Sequence, residues 1–280
     1  MPELVPMWNR LSELVGGGDH EARMLSLYRP TPYMSGCSQA VWTRADGPLL
    51  ARNYDYHPNF CEGTILLSKW HGVRTIVQSD CLWGALDGMN EHGLVVSLAF
   101  GGSQAVGDGF GIPLVLRYIL EFCTNVDEAR AVLLRVPSHM AYNVMAVDLS
   151  GRFINAHVYP GRKTIFANGA AATNHQREVE WARHAESTGS VEREQFLYDQ
   201  LELATQSRGR FADSFLEPPL HNSRWAQGFG TLYTAVYDPV ERSVEYRWPT
   251  HTWKLSFDSF TELTLLLHGR AAAKTDRLEE

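Results

Sequence analysis

The most reactive candidate in this sequence is a cysteine that directly follows a glycine. Cys37 comes after Gly36, and Arg52 and Asp55 follow further along the chain. The thiolate is the nucleophilic form of cysteine, and a free thiol is only a few per cent ionised at neutral pH, so the residue needs a base and a nearby positive charge. A guanidinium stabilises a thiolate, and a carboxylate orients the group that accepts the proton. These residue types predict nucleophilic chemistry at Cys37.

The bond between Gly36 and Cys37 suggests where the base comes from. If this bond is cut, Cys37 becomes an N-terminal residue whose α-amino group has a pKa near ~7.7–8.0, low enough to accept the thiol proton without a histidine. We therefore predict self-cleavage between Gly36 and Cys37. Residues 1–36 would form a leader, lost or retained as a small chain, and residues 37–280 a single catalytic domain. The simpler interpretation, an ordinary hairpin with a small buried cysteine, remains open from the residue types alone.

Two predicted strands would bring these residues together. Residues 39–43 alternate polar and apolar side chains, Asp46, Gly47 and Pro48 are typical of a reversal, and residues 49–54 run back. An antiparallel hairpin of this kind places Cys37 near Arg52 and Asp55. We expect Gly36 to let the backbone adopt strained angles at the bond to Cys37.

These motifs resemble those of the N-terminal-nucleophile hydrolases of the choloylglycine hydrolase and acyl-coenzyme A:6-aminopenicillanic acid acyltransferase group, most closely the bacterial acyltransferase-like (C45) branch. Residues 87–94, 173–175 and 231–238 match the same group in the same order. The resemblance covers roughly residues 35 to 250. It implies an α+β fold, a four-layer αββα sandwich of two antiparallel sheets covered by helices. It also implies hydrolysis of a linear non-peptide amide, or acyl transfer from one, through a thioester on Cys37.

The resemblance also implies roles for individual side chains. Asp55 would orient the freed amine, Arg52 would favour the thiolate, and Asn174 would donate to the oxyanion. Without the family, a cap on a helix over residues 176–186 is the favoured interpretation of Asn174. Relatives carry an arginine near Arg224 that supports the nucleophile, although a surface role is the alternative for Arg224.

One feature of the family pattern is missing. Some relatives place a second oxyanion-binding asparagine at the end of the strand predicted over residues 94–100, where this chain has Ala99 and Phe100. A backbone N–H of the glycine-rich loop 101–111 is the remaining candidate for the second donor. We expect this loop to form a mobile rim of the pocket. The candidate walls for an apolar acyl group, each of which could also be plain core, are Trp83, Phe100 and Phe110.

Two alternatives to the self-activated cysteine stay open. His175 could serve as a separate base in a thiol hydrolase that does not cleave itself, although a packed histidine is the simpler interpretation. A protein of the same fold could also bind a ligand without turnover. The sequence contains no clustered metal-ligand motif, and we expect neither a metal nor an organic cofactor.

Composition and charge limit the partners. The net charge is −7 and the basic residues are scattered, which argues against nucleic acid and anionic membranes. No apolar run approaches the ~20 residues that span a bilayer, and the first residues lack a secretory signal. The remaining cysteines, which show neither metal spacing nor a dense disulfide pattern, are Cys61, Cys81 and Cys123. We expect a cytoplasmic enzyme with a small-molecule amide substrate, and homo-oligomerisation stays open.

The remaining pattern predicts an alternation of strands and helices. The predicted helices cover residues 7–15, 126–136, 176–186, 191–205 and 260–267, with a further one beginning at Pro113. The predicted strands cover residues 64–68, 73–79, 94–100, 142–148, 152–158, 163–167, 231–237 and 243–248. Residues 207–227 are predicted to be a surface loop, and residues 271–280 a charged tail.

Overall fold

Two antiparallel sheets lie face to face at the centre of the protein. The computed structural model describes residues 1–266, so the charged tail predicted over residues 271–280 lies outside the described residues. The first sheet contains, in spatial order, β10 (Ala171–Ala172), β1 (Gly36–Trp42), β2 (Leu49–Tyr56), β11 (Gly230–Asp238), β12 (Ser243–Trp248) and β13 (His251–Ser256). The second contains β3 (Ile65–Ser68), β4 (Thr75–Asp80), β5 (Gly84–Asn90), β6 (Val95–Phe100), β7 (Tyr142–Val147), β8 (Phe153–Val158) and β9 (Ile165–Ala167).

Helices cover the outer faces of both sheets. The helices are α1 (Val5–Leu14), α2 (Asp19–Ser26), α3 (Ile112–Phe122), α4 (Val126–Arg135), α5 (Ala182–Thr188), α6 (Ser190–Glu202) and α7 (Arg208–Asp213). α3 and α4 pack on the second sheet, and α6 packs on β1 and β10 of the first. Every residue of β1, β5, β6 and β7 is buried, as expected for strands covered on both faces. The predicted αββα sandwich is therefore confirmed.

Local sequence signals explain the helices over the second sheet. Pro113 lies in the first turn of α3, where its missing N–H breaks no helical hydrogen bond. α3 is apolar nearly all round, and residues 112–121 are all buried. Asn125 caps α4 by accepting a hydrogen bond from the Glu128 N–H. Both helices match their predictions.

Three local predictions are wrong. Residues 176–181 are not helical, since α5 begins only at Ala182, and Asn174 therefore caps no helix. Residues 207–227 are not a plain surface loop, because they contain α7 and two short 3₁₀ turns. Three of their apolar side chains, which are fully buried, form a second small core against Trp42 and Ala51: Phe211, Phe215 and Leu220. The predicted helix over residues 260–267 is absent from residues 260–266, and residue 267 lies outside the described part of the chain.

The leader, residues 1–36, packs on the body of the protein. Leu4, Leu25 and Leu27 are buried in the main core. The Trp83 indole N–H donates to the Leu25 carbonyl at 2.9 Å, and the backbone of residues 27–29 bonds to that of residues 109–111. The helices of the described chain are all too short or too polar to cross a membrane.

Candidate active site

The hairpin of β1 and β2 places Cys37 near the start of β1, the second strand of the first sheet. Cys37 lies opposite Tyr54, Gly36 opposite Asp55, and Gln39 opposite Arg52. The Cys37 side chain is completely buried. Arg52 Nη2 donates to Cys37 Sγ at 3.3 Å, and the Ser35 hydroxyl lies 3.5 Å from the same sulfur. The predicted juxtaposition of thiol and guanidinium is therefore present.

Buried groups fix the position and the charge of Arg52. Its Nη1 donates to the Leu86 carbonyl at 2.8 Å and to Asp87 Oδ2 at 2.6 Å. Asp87 in turn accepts hydrogen bonds from the hydroxyls of Tyr233 and Tyr237. Burial alone would lower the pKa of Arg52, but its acidic neighbours raise it well above the ordinary value. A permanent cation is thus held against the Cys37 sulfur.

Asp55 lies beside the bond that we expect to be cut. Its Oδ1 accepts a hydrogen bond from the Thr231 hydroxyl at 2.6 Å, and its Oδ2 is 3.8 Å from Arg193 Nη1. Burial raises the pKa of Asp55, while Arg193 and Thr231 oppose that rise. Asp55 is the cross-strand partner of Gly36, and a Cβ built on Gly36 would lie 3.1 Å from the Asp55 Cβ.

Asn174 contacts the chain on both sides of Gly36. Its Oδ1 accepts a hydrogen bond from the Cys37 N–H at 2.8 Å, and its Nδ2 donates to the carbonyls of Ser35 and Phe100, each at 3.2 Å. The Ser190 hydroxyl fixes the Asn174 backbone by accepting from its N–H at 2.8 Å. The amide is therefore positioned against the Gly36–Cys37 peptide.

The site contains a second buried guanidinium that sequence reasoning missed. Arg193 on α6 donates to the Cys37 carbonyl at 2.6 Å, the Ser38 hydroxyl at 2.7 Å and Asn174 Oδ1 at 2.7 Å. Burial lowers the pKa of Arg193, although Asp55 and Cys37 oppose this effect. From the sequence, residues 191–205 are expected to form a helix with mixed charges and a solvated face. The available signal was spacing, because Ser190, Arg193 and Leu197 share one helical face.

Two of the less certain candidates lie outside this cluster. Arg224 is exposed and donates to Asn222 Oδ1 and the Ser187 carbonyl, with no contact to the sulfur. His175 Nδ1 lies 2.8 Å from the Ser190 hydroxyl and its Nε2 is 3.2 Å from Glu194. Both ring nitrogens have these other partners, so the contacts of His175 offer no support for its role as a separate base.

The three predicted pocket aromatics fall in two places. Phe100 ends β6, and its carbonyl accepts from Asn174, so it belongs to the site. Trp83 and Phe110 instead contact the leader, through the Leu25 carbonyl and the Tyr28 ring.

The glycines at the site provide space. Gly36 does not adopt a left-handed conformation, so the expectation of strained backbone angles there is wrong. A Cβ on Gly36 would lie 2.5 Å from the Phe229 ring and 3.1 Å from the Asp55 side chain, so only glycine fits. A Cβ on Gly102 would clash with the Asn174 carbonyl oxygen. The Gly101 N–H already donates to the Ala141 carbonyl, which removes it as a free oxyanion donor.

Comparison with known families identifies the group to which this arrangement belongs. The fold is the αββα sandwich of the N-terminal-nucleophile class. Residues 42–253 match the family model described as acyl-coenzyme A:6-aminopenicillanic acid acyl-transferase, and the chain belongs to that family. The matched range begins after Cys37, so the placement of Cys37 rests on the geometry described above. No curated protein matches the sequence.

Solved structures share the fold at low sequence identity. The penicillin V acylase of Agrobacterium tumefaciens is 15% identical, with 79% of this chain and 86% of that chain covered and a TM-score of 0.57. The N-acylethanolamine-hydrolyzing acid amidase ortholog of Caenorhabditis elegans is 14% identical, with coverage of 73% and 93% and a TM-score of 0.55. A mutant of the conjugated bile acid hydrolase from Clostridium perfringens is 14% identical, with coverage of 80% and 92% and a TM-score of 0.50. These similarities establish the fold.

Proposed function

We propose that this protein cleaves a linear non-peptide amide through a thioester on Cys37, after cutting its own chain at Gly36–Cys37. The acyl group then passes to water or to a second amine. The observation that carries this proposal is that the nitrogen and the sulfur of Cys37 are each bound by a group suited to its role. Asn174 Oδ1 accepts from the Cys37 nitrogen at 2.8 Å, and Arg52 donates to the Cys37 sulfur at 3.3 Å.

Activation would begin with attack of Cys37 Sγ on the Gly36 carbonyl carbon. The new C–S bond forms, the C–N bond to Cys37 breaks, and the departing nitrogen takes the proton. Water then hydrolyses the thioester, which releases a carboxylate at Gly36 and restores the thiol. Asn174 Oδ1, which accepts a hydrogen bond from the Cys37 nitrogen, and Asp55, the cross-strand partner of Gly36, would hold the new amine as hydrogen-bond acceptors.

Turnover would reuse the same groups. The free amine of Cys37 takes the thiol proton, the thiolate attacks the substrate carbonyl, and the amine returns the proton to the leaving nitrogen. In the intact chain Asn174 Nδ2 donates to Ser35, so cleavage and movement of the leader would free it for the oxyanion. A side-chain oxyanion donor is worth roughly 2.7–4 kcal/mol of transition-state stabilisation.

The solved neighbours support a small substrate. Their names refer to penicillin V, conjugated bile acid and N-acylethanolamine, and we extend to this chain only the broad class of a small acylated amine. The four cysteines are unpaired in the structure, in keeping with our proposal of a reducing cytoplasm. The buried contacts of α1 and α2 support retention of the leader as a small chain after the cut.

Thiol labelling separates this enzyme from a non-catalytic protein of the same fold. With iodoacetamide at neutral pH, we expect Cys37 of the processed protein to be alkylated much faster than Cys61, Cys81 or Cys123. Cys37→Ala should abolish both cleavage and turnover of acyl amides, whereas the matched variant Cys123→Ala should retain both. Equally slow labelling of all four thiols, or turnover by Cys37→Ala, would contradict the proposal.

A further inference from the structure

The leader is itself the first acyl group that Cys37 would carry, which identifies where a substrate acyl group binds. In the proposed activation step the Gly36 carbonyl becomes a thioester on Sγ, as the substrate carbonyl does in turnover. The side chains just before Gly36 therefore lie where the acyl part of a substrate must lie. Residues 30–35 form an irregular segment between the body-bound Leu27 and the nucleophile.

Within residues 30–35, Tyr33 is a partly buried aromatic side chain that contacts the body of the protein. Its hydroxyl donates to Asp80 Oδ2 at 3.3 Å, and its ring meets Tyr56 edge-on with ring centroids 6.1 Å apart. Tyr56 in turn packs on Tyr54 at 5.7 Å, and Tyr54 is the cross-strand partner of Cys37. A row of tyrosine rings therefore leads from Tyr33 to the strand position opposite the nucleophile. We call the space that Tyr33 fills beside this row, with the Asp80 carboxylate at its hydroxyl end, the tyrosine recess.

A narrow cavity extends this recess. Its walls include Pro30, Thr31 and Tyr33 of the leader and Cys81, Met140 and Tyr142 of the body. Cleavage at Gly36 frees one end of residues 30–36, so this segment can move out while α1 and α2 stay packed. An aromatic recess would then open, lined by tyrosine rings and with Asp80 at its end.

The surroundings of Asp80 indicate that its carboxylate has a functional role. Burial raises the pKa of Asp80 to about 6, and the nearby Glu62 carboxylate adds to that rise. Its side-chain partners are the Tyr33 hydroxyl and the Cys81 thiol, and within residues 1–266 it forms no ion pair with a lysine or arginine. A partly buried carboxylate that loses Tyr33 needs another hydrogen-bond donor.

Backbone strain beside Asp80 is a second, independent indication. Cys81 and Leu82 adopt φ of 55° and 71°, a left-handed conformation that is uncommon for residues other than glycine. Two successive residues in this region cost free energy, and such strain is concentrated at functional sites. The turn holds Asp80 at the end of β4, against the recess.

We propose that Asp80 selects the substrate, and that preferred acyl groups carry an aromatic ring with a hydrogen-bond donor, such as a phenolic hydroxyl, at the end remote from the amide. This inference rests on the proposed function, because it assumes acylation of Cys37. The hydroxyl takes the place of Tyr33 on Asp80, and the ring packs between the tyrosines of β2.

Paired substrates test this selectivity. Amides of one fluorescent amine, 7-amino-4-methylcoumarin, are prepared with 4-hydroxyphenylacetyl, 4-hydroxyphenylpropanoyl and 4-hydroxyphenylbutanoyl groups, each matched by the acyl group without the hydroxyl. At one or more chain lengths the processed enzyme should prefer the hydroxylated partner in kcat/KM by about tenfold or more, as expected for a hydrogen bond to a charged group. Asp80→Leu should reduce that preference to within about twofold, Asp80→Asn should give an intermediate value, and the exposed control Asp127→Asn should keep it.

The possible failures are distinguishable. Turnover of both members of every pair with equal kcat/KM by the unsubstituted enzyme overturns the role of Asp80 and leaves the proposed function intact. A preference that survives in Asp80→Leu also overturns it. Failure of the unsubstituted protein to be alkylated rapidly at Cys37, with no turnover of any amide, refutes the proposed function itself. The comparison in the unsubstituted enzyme does not depend on whether the variants fold.

Discussion

The sulfur of Cys37 is surrounded by groups that a surface cysteine would not meet. The residue is fully buried, and the guanidinium of Arg52 lies 3.3 Å from its sulfur. Its backbone nitrogen donates a hydrogen bond to the side-chain oxygen of Asn174. The guanidinium of Arg52 donates a hydrogen bond directly to this sulfur. That charge is kept in place by Asp87 and two tyrosine hydroxyls, which explains why so many polar groups lie in the core.

Gly36 provides a prediction at the same scale. In Gly36→Ala the new methyl group would meet the Phe229 ring and the Asp55 side chain. We therefore expect uncut chain to accumulate, with the rate of cleavage lowered by about tenfold or more. Displacement of reacting groups by about an ångström has an effect of this order. The cut fraction is read over time by denaturing gel electrophoresis. Phe229→Ala alone should cut normally, and Gly36→Ala with Phe229→Ala should recover much of the rate because the closest contact is gone. Normal cutting by Gly36→Ala alone would show that space at Gly36 is not limiting.

Site residues close to Cys37 in the sequence could be predicted, whereas distant ones could not be predicted from local patterns. Arg52 and Asp55 could be placed from the sequence because a short hairpin fixes their partners by register. Asn174 could be proposed only from the family pattern, since nothing local connects it to Cys37. Arg193 was missed because its charge is typical of a solvated helix, and only the packing of α6 on β1 buries it.

At the level of elements, periodicity identified α1, α3, α4, α6 and most strands, but not α2 or α7. α3, α4 and the β1–β2 hairpin follow from amphipathic or alternating patterns and from Pro and Asn at the helix starts. β5 was not predicted as a strand because it contains Gly84, Asp87, Gly88 and Asn90, which disfavour strands. Tertiary hydrogen bonds compensate, with Asp87 bound to Arg52 and the Asn90 amide to two carbonyls at the end of α3.

The end of β4 gives a prediction about stability and pH. The folded pKa of Asp80 is about 6, against an ordinary value of 3.8, so folding favours its protonated form. This contribution to stability is fully present below pH 3.8 and is lost as the pH rises through 6, with a magnitude of up to about 3 kcal/mol. The test compares Cys37→Ala, which stays uncut, with the double variant that also carries Asp80→Asn, by urea unfolding at pH 4 and pH 7. The change in the free energy of unfolding caused by Asp80→Asn should be more stabilising at pH 7 than at pH 4 by about 1–3 kcal/mol. A difference between the two proteins that is independent of pH would contradict this explanation.

At the scale of the whole molecule, the leader both packs on the catalytic domain and contains the peptide bond that we expect to be cut. α2 buries Leu25 in the main core and α1 packs partly buried apolar side chains against it, whereas residues 30–36 run past the tyrosine recess to the nucleophile. The sequence could separate the leader from the catalytic domain only through the Gly36–Cys37 motif. Its contacts with Trp83, Phe110 and Asp80 depend on long-range packing that no local pattern records.

The intact mass of freshly purified protein, measured under denaturing conditions, tests the central claim most directly. We predict two species that correspond to residues 1–36 and 37–280, with a free amine on Cys37 confirmed by N-terminal sequencing, and a single full-length species for Cys37→Ala. A single full-length species that nevertheless hydrolyses acyl amides would contradict the claim, because the nitrogen of Cys37 would then still be part of a peptide bond during catalysis.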